Sequence, residues 1–553
     1  MASEIDRTRL ADDQDAARPS VKVSVGRCSE LPEGSMRLVR AGGHRICLAR
    51  TASGVYALDN ACPHQGYGLV QGDLSGDLLT CQWHNWKFRV DDGSCVLGEE
   101  GVRTYPVSIV DGDLVVEVVD PSPAEERARL WPSLRRGIEQ DYSGQIARDV
   151  VRLLRNSANP AELVWEAVAW GAPRAEFGWG HALAMATDCL TIAEGFADDD
   201  RAFPIVQAIA GISEVEHLRP LRPQPMSSPT LPSDPRASFA ALVEAQDADG
   251  AEALVLRALR DGVDHRDVQR WFIDAVSAHH LSFGHGAIYT QKAFELVDHL
   301  GGDRAIAVLP HLVPMYTTGT REDLLPYMRP AMKAVAALDL DALATAPDRR
   351  DTGWRDDGRL LAALLGPGDP PITLAARSVL EGAGVEGLLD TVATAASERL
   401  LRHDPLVDFD NSYDFGWLDI THALTYANAA RWAWRHQPGV GTARLALYTV
   451  FMAHDSGRAE WRNGSRVPPE IAIAPMARDL LRVAATNQAG SFIVAAHIIK
   501  TALAAVRESD EIGSDRPRAA AYRFANAPRL ERFVTAGTAE AIEFVRSGNP
   551  PHR

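Results

Sequence analysis

The 553-residue sequence lacks a positive balance, a long apolar run and a cysteine framework. A net charge of −17 and a pI near 5.5 exclude the cationic surface on which phosphate-backbone binding rests, so no nucleic-acid partner is expected. The most apolar stretch, Ser491 to Val506, is too short to span a membrane and carries His497 and Lys500. The first twenty residues, MASEIDRTRLADDQDAARPS, hold no apolar signal core, and six cysteines without framework spacing suit a reducing compartment. A cytoplasmic protein without a membrane partner is therefore expected. Lysine is scarce: of 57 basic residues only Lys22, Lys87, Lys292, Lys333 and Lys500 are lysines, so a buried one demands a reason. No flavin or nicotinamide motif is present.

What is present is chain enough for several domains and, with 46% hydrophobic and 24% charged residues, the composition of a globular protein. The stretch from Cys62 to Phe88 carries its most specific chemistry. Cys62-x-His64 is followed, after sixteen residues, by Cys81-x-x-His84, so each of two loops offers one thiol and one imidazole. Zinc accepts two Cys and two His, but a zinc finger usually pairs its cysteines on one knuckle and its histidines on a helix. The arrangement resembles the Rieske domain. That resemblance implies a [2Fe-2S] cluster with Cys62 and Cys81 on one iron and His64 and His84 on the other, and hence one-electron transfer. Pro63, Gly66 and Gly76 suit tight ligand loops, and Asp92-Gly93 reads as a hairpin turn. Rieske sequences usually have Gly after the second His; Asn85 stands here, a residue that tolerates positive φ. Tyr67 and Trp83 occupy the places where quinol-oxidising relatives carry a disulfide, which makes this stretch resemble the ferredoxin or oxygenase type.

The organisation expected is a multidomain chain: a small all-β domain, then a large all-α helical-repeat domain. Its parts are a disordered tail at 1–20, the Rieske domain at 21–120, a linker at 121–148, the helical metal-binding domain at 149–546 and a tail at 547–553. The strands read as VKVSV, RICLA, GVYALDN and a closing hairpin YPVSIV-DGD-LVVEVV. Beyond Gly144 the apolar period becomes 3.6, and a repeat of helix, Phe-Gly break and helix recurs. Each copy has one histidine near the start of its second helix: His181, His285, His422 and His497. Asp-Arg follows three of them, at Asp200-Arg201, Asp303-Arg304 and Asp515-Arg516. Pro-rich stretches at Arg219 to Arg236 and Asp348 to Pro371 read as loops between copies.

Histidines at matching places in four helix pairs converge if the pairs pack about a common axis, and imidazole suits iron, copper and zinc. One histidine alone would more simply cap or pack its helix; four in register favour a metal. A one-electron donor in the same chain also needs an acceptor. Among anions to balance the ion, Lys500, three residues after His497 in an apolar stretch, qualifies as a carbamate, with Lys292 as its competitor. Asp188 and Asp419 are candidate partners for ring nitrogens, while Glu295 and His299 are expected to face outward. Trp179, Tyr289, Trp417 and Tyr426 are candidate cavity walls, and His279 and His280 adjoin the same break. His311 and His454 read as core, and His44, His217, His265, His403, His436 and His552 as surface.

His181, the run HHLSFGHGAIYTQKAFE around His285, THALT at His422 and AAHIIK at His497 to Lys500 make the helical part resemble the questin oxidase-like family of non-heme iron oxygenases. The resemblance implies one mononuclear iron held by the four histidines and a carbamylated lysine, and O2-dependent cleavage of a polyketide quinone ring. The expected function is a Rieske-coupled non-heme iron oxygenase acting on a small aromatic or polyketide-like molecule. Its electrons would come from an NAD(P)H-dependent reductase or ferredoxin. The ring-hydroxylating alternative requires a two-His, one-carboxylate triad and a mixed α/β fold, neither of which the sequence offers. The non-enzyme alternative is a Rieske ferredoxin-type electron carrier with a helical partner-docking domain.

Overall fold

The computed structural model describes residues 20–226, 230–405, 416–463, 473–489 and 491–527, with 538, 541–542 and 544–547 near the C-terminus. All but the innermost residue of each expected tail, and with them His552, lie outside the described residues.

Eleven short strands open the described chain: β1 (Val21–Arg27), β2 (Ser35–Ala41), β3 (His44–Thr51), β4 (Gly54–Asp59), β5 (Asp73–Ser75), β6 (Leu78–Thr80), β7 (Lys87–Arg89), β8 (Cys95–Leu97), β9 (Thr104–Tyr105), β10 (Val107–Val110) and β11 (Asp113–Val118). They form three antiparallel sheets in the orders β1-β11-β10, β2-β3-β4-β9 and β5-β6-β7-β8. The unbroken apolar run of β3 has a physical cause: this strand is a wall between two cores. Cys47 and Ala49 face Leu58, Trp86 and Phe88, while Ile46 and Leu48 face Ala57, Leu114 and Val116. Each fully buried Leu, Ile, Val or Phe among them contributes about 1.5–3 kcal/mol. β2 is not among the strands the apolar pattern predicts. Arg37 and Arg40 interrupt it and Leu38 is 40% exposed, because it forms a sheet edge with only β3 beside it.

The segment expected as a linker is helical, in α1 (Pro123–Glu139) and the start of α2 (Ser143–Arg155). Its charged residues start a helix rather than a spacer: Ser122 and Glu125 bond reciprocally as a capping box ahead of a run of strong helix formers. By internal contacts the chain divides into two compact units. One comprises residues 1–137, 142–158 and 537–553, so α2 belongs with the strands; the other comprises 138–141 and 159–536.

The second unit is helical throughout its described residues. Four of its helices matter most: α3 (His181–Glu194), α4 (His285–Leu300), α5 (Trp417–His436) and α6 (Phe492–Ile512). They pack in a closed cycle, α3 on α4, α4 on α5, α5 on α6 and α6 back on α3. The Asp-Arg pairs sit at the turns after α3, α4 and α6, where the chain re-enters a helix. The break before α4 is a run of left-handed residues, Ser282 (φ 46°), Phe283 (φ 56°) and Gly284 (φ 83°). The stretch Asp348 to Pro371, expected as loop, contains helices Arg349–Thr352 and Arg359–Leu365; Asp348 caps the first through the Arg350 N–H. No helix among the described residues is long and apolar enough to cross a membrane.

Candidate metal centres

Two loops of identical hydrogen-bond design carry the first site. Cys62 N donates to the Tyr67 carbonyl and Gly66 N to the Cys62 carbonyl; Cys81 N donates to the Trp86 carbonyl and Asn85 N to the Cys81 carbonyl. The fourth residue after each cysteine is left-handed, Gly66 at φ 77° and Asn85 at φ 61°. Asn85 therefore performs the turn that glycine performs in the partner loop. The loops bring the His64 and His84 rings to a centroid distance of 4.3 Å at an interplanar angle of 83°. His64 stacks on Trp86 at 4.9 Å, and Tyr67 stacks on Trp83 at 4.3 Å.

The donor set suits a cluster. His64 Nδ1 is buried without a hydrogen-bond partner, and burial, followed by the neighbouring His84 and Arg148, holds the ring down to about 4, so it stays neutral. The Cys81 thiol is lowered to about 6, first by its contact with Cys62 and then by the backbone N–H groups of Trp83 and His84. Contact with Cys81 and burial push Cys62 up, a cost relieved when a metal cation takes both thiolates. A lone imidazole nitrogen, two adjacent sulfurs and backbone donors aimed at one of them are what an iron–sulfur cluster requires.

The second site lies in the helical unit. His285 Nε2 is 3.3 Å from His181 Nε2 and 2.8 Å from His422 Nε2, and His422 Nε2 is 3.3 Å from His497 Nε2. All four donor atoms fall within 4.8 Å of one another. His497 Nδ1 donates to the Ile493 carbonyl at 2.7 Å, which leaves its Nε2 lone pair facing the group, and His181 Nδ1 meets the Tyr289 hydroxyl at 3.1 Å. Burial, then Lys500 and the neighbouring imidazoles, hold His181 and His497 well below the ordinary range; His422 is held to about 3, by burial and then by Lys500. Four neutral imidazoles whose Nε2 atoms converge offer a cation a ready set of lone pairs. The residues therefore fit a metal ion.

The remaining predicted residues separate cleanly. Lys500 stands over the Tyr289 ring at 5.7 Å, and burial brings its amine down to about 7. Lys292 instead pairs with Asp188 at 2.8 Å and Glu295 at 3.2 Å. Asp188 is thus the partner of a lysine rather than of a ring nitrogen, and Glu295, expected outside, is turned in to Lys292 and Arg507. Asp419 accepts from Gly416 N at the start of α5, which makes it a helix cap. His279 bonds Glu244 and Asp323. His403, expected at the surface, is buried against Trp417. His311 and His454 are core, as read.

Glu322 is the residue sequence reasoning missed. It lies 2.9 Å from His280 Nε2 and accepts from Phe283 N, while His280 Nδ1 meets the Tyr426 hydroxyl at 3.2 Å. This buried trio pins the strained turn that launches His285. Phe283 is itself 37% exposed, with its ring centroid 6.2 Å from that of His422. No local pattern marks Glu322, since its partners are remote in sequence.

Residues 21–106 match the Rieske [2Fe-2S] domain. The ferredoxin component of the alkene monooxygenase system of Xanthobacter autotrophicus is 32% identical over 108 residues, 19% of this chain and 88% of that protein. The terminal oxygenase component CarAa of carbazole 1,9a-dioxygenase from Sphingomonas sp is 32% identical over 107 residues, 17% of this chain but only 28% of its own length. Among solved structures, the ferredoxin of carbazole 1,9a-dioxygenase from Nocardioides aromaticivorans IC177 aligns at 24% identity and a TM-score of 0.17, covering 17% of this chain and 95% of that one.

Proposed function

Because the chain belongs, through residues 21–106, to the Rieske [2Fe-2S] domain family, we propose that it is an oxygenase. In this reading Cys62, His64, Cys81 and His84 would hold the cluster, a one-electron donor, and His181, His285, His422 and His497 would hold a mononuclear iron as its acceptor. The observation that carries the reading is the convergence of four ring nitrogens from four helices on one point, in a chain that already holds a one-electron donor. These four histidines would hold the iron, which when bound would supply O2 activation. The expected substrate is a small aromatic or polyketide-like molecule, with Phe283 beside the His422 ring as the surface that meets it. Electrons come from a separate NAD(P)H-dependent reductase or ferredoxin, a role supported by the monooxygenase ferredoxin relative.

The chain's own residues would do the rest. The four imidazoles enter neutral, so they bind without first shedding protons. Four neutral ligands leave the charge of the ion uncompensated, and Lys500 answers this. Its amine, held near 7, reaches the unprotonated form that adds to CO2, forming an N–C bond and releasing a proton, and the resulting carbamate presents carboxylate oxygens. Lys292 is occupied by Asp188 and Glu295 and is the weaker candidate.

Metal analysis with EPR tests the proposal. About three irons per chain are expected, with separate signals from a reduced cluster and a mononuclear site. About two irons and a cluster signal alone would leave an electron carrier with a helical docking domain. Lys500→Met should lower iron at the histidine site while leaving the cluster spectrum intact, whereas Lys292→Met should not act as a ligand loss.

A further inference from the structure

The cluster loops differ in their cover. Around His84, residues 82–85 are exposed, and Trp83 is 53% exposed. Over His64 lies a guanidinium from outside the matched domain: Arg148, on α2, is 4% exposed and donates through Nη1 to the His64 carbonyl at 3.0 Å. The same side chain lies 3.6 Å from Glu100 and 3.5 Å from Glu99. Glu100 is shared with Arg152 and Arg129, and Arg152 also faces Asp149 at 3.5 Å. Three arginines thus meet two glutamates and a buried aspartic acid beside one ligand loop.

Such a placement has two consequences. A bond to the His64 carbonyl fixes the backbone of the residue that must hold its ring nitrogen toward iron, in the manner of outer contacts that orient metal ligands. A buried cation beside the loop also favours the reduced cluster, which carries one more electron, over the oxidised one. Glu99 and Glu100 weaken this field, but it is Arg148 that touches the loop, and Glu100 is shared with Arg152 and Arg129.

We infer that α2 is a working part of the redox unit, with Arg148 as a positioning residue that braces the His64 loop and raises the reduction potential of the cluster. Electron exchange with a partner then falls to the exposed His84 edge. The inference depends on the Rieske assignment alone and not on the oxygenase reading, so the two fail separately.

The test is a redox titration of the full-length, cluster-loaded protein at pH 7, followed by visible circular dichroism with EPR of the reduced cluster. Arg148→Gln is expected to shift the midpoint downward with the cluster retained, and Arg148→Lys, which keeps the charge, to restore most of that shift. An Arg148→Gln midpoint equal to that of the parent overturns the inference. Should Arg148→Gln fail to hold its cluster, the double variant R148Q/E100Q is compared with E100Q, which removes the buried acid left behind. A lower midpoint in the double variant supports the inference, and an equal or higher one overturns it.

Discussion

The two candidate centres are built on opposite plans. In the β unit all four ligands lie between residues 62 and 84, on two loops whose backbone bonds are the same bond for bond. In the helical unit the candidate ligands span residues 181 to 497, and each sits near the start of a different helix. A loop-built site is prepared by local hydrogen bonds and survives loosening elsewhere. A site made by a cycle of four helices exists only while that cycle is closed, so metal binding there would be coupled to folding of the bundle.

The sharpest way to break this comparison is to remove one ligand from each plan. Cys81→Ser is expected to abolish the cluster absorbance and leave about one iron per chain. His422→Ala is expected to keep the cluster, leave about two irons, and lower substrate oxidation by roughly a hundredfold or more, since even outer-shell losses cost about 10–100-fold. Iron content, visible spectra and turnover on the two variants decide the matter. If either substitution empties both sites, the centres are not independent and the contrast fails.

A second comparison sets two left-handed glycines against each other. Gly284 (φ 83°) precedes His285, and a Cβ there would stand 2.6 Å from the Tyr426 ring; Gly76 (φ 57°) has nothing within 4 Å of its Cβ position. Both Gly→Ala changes carry backbone strain of about 1–3 kcal/mol. Gly284→Ala additionally pushes Tyr426 off His280 and tilts the start of α4, so it is expected to lower iron at the histidine site. Gly76→Ala should shift the thermal midpoint without touching iron content. Equal iron loss in both would show that strain rather than position is responsible.

The same contrast explains what could be read in advance. Cys62-x-His64 and Cys81-x-x-His84 were legible because ligand spacing within a loop is written in the sequence, down to Asn85 replacing glycine. The strand order, the lone partner of β2 and the packing of α2 beneath the His64 loop were not, because each depends on contacts between remote residues. In the helical unit, repetition pointed to His181, His285, His422 and His497, and a family resemblance rested on the same residues. The partners of Asp188, Asp419 and Glu295 were not legible for one reason: helical spacing tells which residues share a face, not which partner that face meets. Asp188 meets Lys292, Glu295 meets Lys292 and Arg507, and Asp419 turns back on its own helix start. Glu322, pinning the turn before His285 from a separate segment, carried no signal at all.

The smallest expected effects come from two acids, buried Asp149 and half-buried Glu295, one in each unit, and they run in opposite directions with pH. Burial, then Glu100, pushes the Asp149 carboxyl up to about 7 against an unfolded value near 3.8. The folded chain therefore binds the extra proton, and stability falls as pH rises from about 4 to 7. Asp149→Asn, which does not titrate, should gain on the parent by of order 1 kcal/mol at pH 8 and show no gain below pH 4. For Glu295 burial alone would raise the carboxyl, but Lys292 and Arg507 outweigh it and hold it at about 2, below the unfolded value near 4.5. Its contribution is present above pH 4.5 and is lost as pH falls toward 2, so Glu295→Gln should cost of order 1 kcal/mol at pH 7 and little in strong acid. Urea unfolding across a pH series reads both slopes. Slopes of the same sign would mean that the arginines around Asp149 hold its proton off as firmly as Lys292 and Arg507 do for Glu295, and the difference between the two units would narrow to ligand spacing alone.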